Sequence, residues 1–404
     1  MNILFLTLLS FDSLRDGSIY TDLLQEFVDH GHEVFAISPV ERRQHQQTHM
    51  IHEDHCTILR LKIGNTQKTN LIEKGISTVM IEPLFKNAIR KYFSDVRFDL
   101  VLYSTPPITL VSAIRYVKDR DHAKTYLLLK DIFPQNAVDI GMMDTSGAKS
   151  VLYRRFRDQE KELYRISDRI GCMSEANVRF VVEHNPEVSP EKVEVCPNSI
   201  KVTDRSVDEE TRIRIRNKYD IPLDKKVLVY GGNLGKPQGI GFLIACLRAC
   251  RDLRDAFFLI VGDGTEFSIL QEFLEKEKPD NVRLMKRLPR EDYDIMVGAC
   301  DVGMIFLDHR FTIPNFPSRL LSYMAAKLPV LAVTDPNSDV GEVIMKGGFG
   351  WWRESNDAGQ VRALVEEILA QDLSEKKENA WAYLQEHYSV EKAYQIIEDG
   401  ILKS

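Results

Sequence analysis

KVLVYGGNLGKPQG (226–239) is the stretch that decides how this chain is organised. A short apolar run rich in β-branched residues stops at Gly231 and Gly232, then opens into a polar loop with further glycines at Gly235 and Gly239. That pattern reads as a buried strand feeding a turn. Similar runs follow it: AFFLIVGDG (256–264), NVRLM (281–285), DVGMIFL (301–307) and LPVLAV (328–333). Others precede it: ILFLTL (3–8), EVFAIS (33–38), DLVLYS (99–104), TYLLLK (125–130) and RIGCMS (169–174). Helix-period segments separate the runs, which is the rhythm of βαβ units, and strands apolar on both faces belong to parallel sheets covered by helices. The polar stretch VTDRSVDEETRIRIRNKYDIPLDKK (202–226) interrupts the rhythm before it restarts. The expected fold class is therefore α/β, with two doubly wound Rossmann-like domains facing across a cleft. Their expected bounds are residues 1–200 and 201–383, with a C-terminal helix at 384–404 returning to the first domain.

Whole-chain properties fit this frame. A chain of 404 residues is too long for one ordinary core of ~100–200 residues. Its 44% hydrophobic and 28% charged residues are those of a globular protein, and no stretch approaches the ~18 continuous apolar residues of a spanning helix. The opening MNILFLTLLSF lacks the basic leader and cleavage site of a signal peptide, so a cytoplasmic location is expected. Cys56, Cys172, Cys196, Cys246, Cys250 and Cys300 sit in apolar runs and read as core residues in a reducing compartment. The segment QHQQTHMIHEDH (44–55) places His45, His49, His52 and His55 close together, yet it has no cysteine partner and reads as a polar loop, so no metal is expected. A net charge of -7 without a basic block argues against nucleic acid as a partner.

In doubly wound sheets ligands bind at loops leaving the C-terminal ends of strands, so the chemistry belongs in those loops. In the first domain Gly17 and Ser18 precede a helix, where a glycine permits close backbone approach and free N–H groups face an anion or hydroxyl; a plain turn with a helix cap is the alternative. Ser104 and Thr105, before Pro106 and Pro107, are expected to aim hydroxyls into the crevice. Asp131, in KDIFPQ (130–135), stands at a strand end where a carboxylate can meet sugar hydroxyls or a proton in transfer; capping the next turn is its alternative role. PLFKNAIRKYF (83–93) places Leu84, Phe85, Ala88, Ile89 and Tyr92 on one helical face and Lys86, Arg90 and Lys91 on the other. Such a helix suits an anionic membrane surface, and it equally suits a core-facing helix with a solvated basic face.

In the second domain the loop 231–239 offers the backbone of Gly232 and Asn233 to phosphates, with Lys236 as a neutralising charge. It is not a Walker loop, because the G-x-x-x-x-G-K-[ST] order is absent. PNFPSRLLSYMAAKLPVLAV (314–333) reads as a loop, a helix starting near Pro317, and a strand, so free N–H groups of Ser318, Arg319 and Leu320 can hold an anion there with the Arg319 charge. Gly264 and Thr265 form a further crevice loop that can meet a base or ribose.

These segments resemble glycosyltransferase family 4, the retaining GT-B enzymes, over essentially the full chain. The resemblance rests on the glycine loop and GHEV of the opening unit, SEANVRFVVEHNPEVSPEKVEVCPNSI, YGGNLGKPQG, VGDGTE and PSRLLSYMAAKLPVLAV. LYSTPP, KDIFPQNAVDIG and GNLGKPQG look most like bacterial transferases of N-acetyl-L-fucosamine-type sugars in capsule and O-antigen assembly. The resemblance implies a UDP-sugar co-substrate held by the second domain, a polyprenyl-linked saccharide acceptor held by the first at the inner membrane face, and no required metal or other cofactor. It makes Asp131, Lys236 and Arg319 the candidate catalytic residues, with Gly232, Asn233, Gly264, Thr265, Pro317, Ser318, Leu320 and Ser322 toward the donor and Gly17, Ser18, Ser104 and Thr105 toward the acceptor. Two departures stand out. The family's Glu-x7-Glu pair falls on Pro314 and Ser322, and the Arg and Lys of its diphosphate clamp fall on Asn233 and Gln238. A GT-B sugar-nucleotide epimerase and a non-catalytic GT-B partner subunit are the competing readings.

Overall fold

The computed structural model describes residues 1–65, 71–147 and 150–402. The chain divides into two compact units, Met1–Lys201 with Val390–Ser404, and Val202–Ser389.

The first unit contains β1 (Asn2–Leu6), β2 (Glu33–Glu41), β3 (His49–Glu53), β4 (Cys56–Ile63), β5 (Leu100–Ser104), β6 (Lys124–Leu129), β7 (Arg169–Cys172) and β8 (Val193–Val195). They form one sheet in the order β3-β4-β2-β1-β5-β6-β7-β8. Every pairing is parallel except β3 with β4. The histidine segment is thus not a polar loop: His49 to Glu53 form an antiparallel edge strand against Arg60 to Cys56. Its two apolar residues, Met50 and Ile51, are too few to announce a strand, and only the partner strand CTILRLKI supplies the missing order.

Five helices of this unit matter below: α1 (Ile19–Asp29), α2 (Leu71–Tyr92), α3 (Val111–Asp121), α4 (Gln135–Asp139) and α5 (Ser150–Ile166). The last helix, Val390–Leu402, also packs into this unit, where Tyr394 meets Phe27 edge-on at 4.9 Å between ring centroids and bonds His32 at 3.1 Å. The preceding helix, Ser374–His387, lies in the second unit.

The second unit contains β9 (Lys226–Asn233), β10 (Ala256–Asp263), β11 (Val282–Lys286), β12 (Val302–Phe306), β13 (Val330–Thr334) and β14 (Gly350–Glu354), all parallel, in the order β11-β10-β9-β12-β13-β14. Counted within the unit this is the order 3-2-1-4-5-6 of a dinucleotide-binding sheet. The order reverses between β9 and β12, and ligand crevices open at such switch points. The loops after these two strands, 234–239 and 307–318, are those singled out by sequence. In the first unit the reversal falls between β1 and β5, next to Thr7 and Ser104.

One buried charge ties the start of the second unit together. Arg216, with no accessible surface, bonds the carbonyls of Ala299 (2.8 Å), Pro222 (3.0 Å) and Lys225 (3.1 Å) and the carboxylate of Asp301 (2.6 Å). Asp301 also receives the Val227 amide at 2.7 Å, so β9 is registered against β12 through this pair. Removing one partner of such a pair leaves an uncompensated buried charge. Arg216→Ala is therefore expected to destabilise the second unit by about 3–5 kcal/mol in urea unfolding, and a loss well under 1 kcal/mol would show that the network adds nothing.

Candidate functional site

In the second unit the site begins with glycines that bring backbone and side chains close together. A Cβ at Gly231 would overlap the ring of Tyr293, and one at Gly262 would overlap the Gly232 carbonyl. Gly232 has φ +126, a value that side-chain-bearing residues rarely adopt. A Cβ at Gly264 would overlap the Leu234 carbonyl, and two backbone bonds, Leu234 N–H to Asp263 O at 3.0 Å and Glu266 N–H to Leu234 O at 2.9 Å, hold the loop of Gly264 and Thr265 against the loop after β9. Tyr323 accepts the Gly231 amide at 3.1 Å and donates to Met304 O at 3.0 Å, bridging β9 to β12 across the switch point.

Arg319 lies in this setting. Its guanidinium stacks 4.4 Å over the Tyr230 ring, and its Nη2 is 3.3 Å from where a Gly232 Cβ would stand. Its Nη1 is buried without a hydrogen-bond partner among the described residues. A buried cationic N–H left open beside a bare backbone is unusual, since buried polar groups are nearly always paired, and it suits an anion. Lys236 is exposed on the same loop. Asn233 and Gln238, which stand where the resembled family carries its basic pair, bond each other at 2.9 Å, and Gln238 also receives the Gly235 amide at 3.2 Å. They brace the loop as a neutral pair and supply no charge.

The helix after the 307–318 loop starts at Arg319 rather than near Pro317, with Ser318 as its N-cap. The Leu320 amide is not free, because it donates to Pro317 O at 3.2 Å. Pro314 is buried, and Ser322 is half-buried on the helix. A residue that sequence reading passed over, Asp335 at the end of β13, holds this loop in place. Its carboxylate receives the Asn337 and Ser338 amides at 2.9 and 2.8 Å and the Ser338 hydroxyl at 2.9 Å. Ser338 in turn accepts the Asn315 amide at 2.9 Å, and the Asn337 side chain bonds Phe311 O at 2.6 Å. The same rule that singled out Asp131, a carboxylate at a strand's C-terminal end, would have found it. Tyr293 carried no local signal, since it sits inside a polar helix and meets Gly231 only in the fold.

In the first unit Asp131 is held by the Asn136 amide at 2.7 Å, and burial pushes its carboxyl up to about 6 against that bond and the Ile132 amide. Tyr20 of α1 lies nearby; burial raises its phenol to about 12, with Ser104 bonding it and the Asp131 charge adding to the rise. Lys130 reaches Cys196 O at 3.3 Å, and burial lowers its pKa. Ser104 and Thr105, expected to aim hydroxyls into the crevice, are both buried. Ser104 bonds the Thr7 hydroxyl at 3.3 Å, while Thr105 receives the Lys130 amide at 3.0 Å and donates to Asp131 O at 3.2 Å, so it fastens the Asp131 backbone. Gly17, at φ 63, ends a short 3-10 turn, and Ser18 forms a capping box in which its amide donates to the Thr21 hydroxyl (2.6 Å) and its hydroxyl oxygen accepts the Thr21 amide (3.1 Å). The Ser18 amide is spent inside the helix cap.

The segment 83–93 forms the second half of α2, where Phe85, Ala88, Ile89 and Phe93 are buried in the fold, and α2 packs on α3 and β4. The apolar stripe of 83–93 is thus occupied, so this segment can offer a lipid surface only its charges.

The two sheets and the glycine loops at the switch point define the GT-B fold of glycosyltransferases. Sucrose-phosphate synthase from Thermosynechococcus elongatus superposes with a TM-score of 0.77 over 99% of this chain and 98% of its own, at 15% identity. Anabaena HepE in complex with UDP-glucose superposes with a TM-score of 0.73 over the whole of both chains, at 14% identity. Residues 211–386 match the family model described as Glycosyl transferases group 1. A Pseudomonas aeruginosa protein named "Probable glycosyltransferase WbjE" is 26% identical over 334 residues, 81% of this chain and 80% of that protein. WcaI of Escherichia coli K12, named as a colanic acid biosynthesis glycosyl transferase, is 21% identical over 254 residues, 61% of this chain and 60% of that protein. The chain is a glycosyltransferase.

The raised carboxyl makes a stability prediction. A carboxyl whose folded value, about 6, lies above its unfolded value contributes stability that is complete below the unfolded value and is lost as pH rises through the folded one. Asp131→Asn should therefore gain on the parent in urea stability between about pH 4 and about pH 7. A difference independent of pH would place the carboxyl in its ordinary range.

Proposed function

We propose that the chain moves a sugar, an N-acetylated amino sugar of L-fucosamine type, from a UDP-sugar to a polyprenyl-diphosphate-linked saccharide in capsule or O-antigen synthesis. Transfer proceeds with retention at the anomeric carbon, without a required metal, and the enzyme works at the inner face of the cell membrane as a peripheral protein. The observation that carries the reading is the open, buried Nη1 of Arg319 beside Gly232. A leaving diphosphate develops charge as the glycosidic bond breaks, and a fixed cation in a dry setting stabilises that charge without reorganising. Tyr230 fixes the guanidinium plane, and Lys236 adds a mobile charge from solvent. Arg319 thus replaces the basic pair lost at Asn233 and Gln238. The likeness to WbjE and WcaI, both named as glycosyltransferases, and to HepE, which binds UDP-glucose, supports the same direction.

Asp131 belongs to the acceptor side in this reading. Raised to about 6, the carboxyl is mostly ionised at neutral pH yet takes up a proton more readily than an ordinary carboxylate, which suits a group that orients a hydroxyl and accepts its proton.

Two measurements test the reading. Calorimetry should show UDP binding to the parent and a loss of about tenfold or more, ~1.4 kcal/mol, in Arg319→Ala, with a smaller loss in Lys236→Ala. UDP binding untouched in the double variant would remove the assigned donor site. Asp131→Asn should lower turnover by about 10²-fold or more while leaving UDP affinity unchanged. Turnover near that of the parent would take Asp131 out of the mechanism.

A further inference from the structure

The helices α2, α3 and α5 each connect parallel strands, so each runs back along the sheet and starts at the edge where the strands end. That is the edge carrying Thr105 and Asp131. α2 packs on α3, and α3 packs on α5. The start of α3 is located by Glu82 of α2, whose carboxylate takes the Ser112 amide at 2.6 Å. α2 therefore continues toward its own N-terminus beyond the level where α3 begins. Val79 and Met80 lie in that overhang, one turn past Glu82, and are 59% and 45% exposed. On the other side of α3, the first turn of α5 carries Val151 and Leu152, 68% and 51% exposed. Among the described residues these are the two places where adjacent large apolar side chains are both exposed. Scattered single exposures are ordinary, whereas two such pairs flanking one helix start are not.

Cations accompany both pairs. Val151 shares a groove of about 530 Å³ with Val111, Arg154 and Arg155. A second groove, of about 440 Å³, is lined by Lys86, Arg115, Tyr116 and Arg120, with Lys86 and Arg90 each 5.9 Å from the Tyr116 ring centroid. Lys86, Arg90, Arg154 and Arg155 form no ion pair among the described residues. The acidic groups nearby are fewer: Glu162 is taken by Arg115 and Arg165 and Glu82 receives the Ser112 amide, leaving Asp119 and Asp158.

We propose that this face of α2, α3 and α5 seats the protein on an anionic bilayer, with Val79, Met80, Val151 and Leu152 entering the acyl boundary and Arg154, Arg155, Lys86 and Arg90 meeting headgroup phosphates. The proposal rests on the membrane reading above and moves its apolar contact away from the buried stripe of 84–93. Exposed aliphatic side chains on the overhang of α2 and in the first turn of α5, beside unpaired cations, match a surface that is apolar below and anionic above. The same edge carries Asp131, so a lipid-borne acceptor would arrive at the loop proposed to receive it.

The test is co-sedimentation of the full chain with vesicles of phosphatidylcholine alone and with about one third phosphatidylglycerol. The parent should bind the anionic vesicles, and salt should weaken the binding. Arg154→Glu with Arg155→Glu, and separately Val151→Glu with Leu152→Glu, should each lower partitioning by about tenfold or more. Val79→Ser with Met80→Ser, a milder change on the other helix, should lower it less. UDP affinity and the thermal midpoint should be unchanged in every variant, which separates loss of docking from loss of fold or of the donor site. No binding by the parent would overturn the membrane reading and this proposal together. Binding by the parent that all three variants retain would overturn the proposed face alone. Variants that change the oligomeric state instead of vesicle binding would show a contact between copies of the chain, against the proposal.

Discussion

The site in the second unit depends on how closely the ends of β9 and β10 approach their surroundings. Without side chains at Gly231, Gly262 and Gly264, Tyr293 can lie against one backbone and the Gly232 and Leu234 carbonyls against the others. The Tyr323 hydroxyl can then reach both the Gly231 amide and the Met304 carbonyl, locking the two strands of the switch point at one spacing. Arg319 follows on the same helix, four residues before Tyr323, and so arrives over Tyr230 with one N–H uncommitted. A methyl group at any of these glycines would have to displace an aromatic ring or a backbone carbonyl, and close-packed interiors yield little.

Each unit also holds a carboxyl raised by burial at the C-terminal end of a strand, with different consequences. Asp335, pushed up to about 6, is fully enclosed by the turn it organises and acts by fixing the 311–318 loop. Asp131, at a similar value, has one side-chain partner, Asn136, and its backbone is fastened independently by Thr105. Asp131 thus carries fewer bonds than Asp335, from the Asn136 side chain and the Ile132 amide, which separates a candidate for chemistry from a structural turn.

The first unit shows how one amphipathic pattern can be read in two ways. The stripe of 84–93 is what a lipid-facing helix and a core-facing helix have in common, and the sheet takes it because burying Phe85 and Ile89 removes apolar surface from water within the same chain. The exposed pairs at 79–80 and 151–152 have no such periodic signature. They are visible only once it is known which residues the sheet leaves uncovered.

Strand runs, glycine loops and the break at 202–226 are local features, so the sequence alone determined the α/β class, the two sheets and the loops that carry the site. It also displayed the loss of charge at Asn233 and Gln238. Strands without a clean apolar run escaped it, among them the His49–Glu53 edge strand, the three residues of β8, and β14 with its paired tryptophans. What only the tertiary structure decided were the meetings of distant residues: Gly231 with Tyr293, Arg319 with Tyr230, and Asp335 with the 311–318 loop. It also decided which donors were already spent, as at Ser18, Thr105 and Leu320. The physical reason is that periodicity and turn chemistry act within a few residues, whereas a hydrogen bond or a stacked cation depends on strand order and on what remains unpaired after the chain has closed.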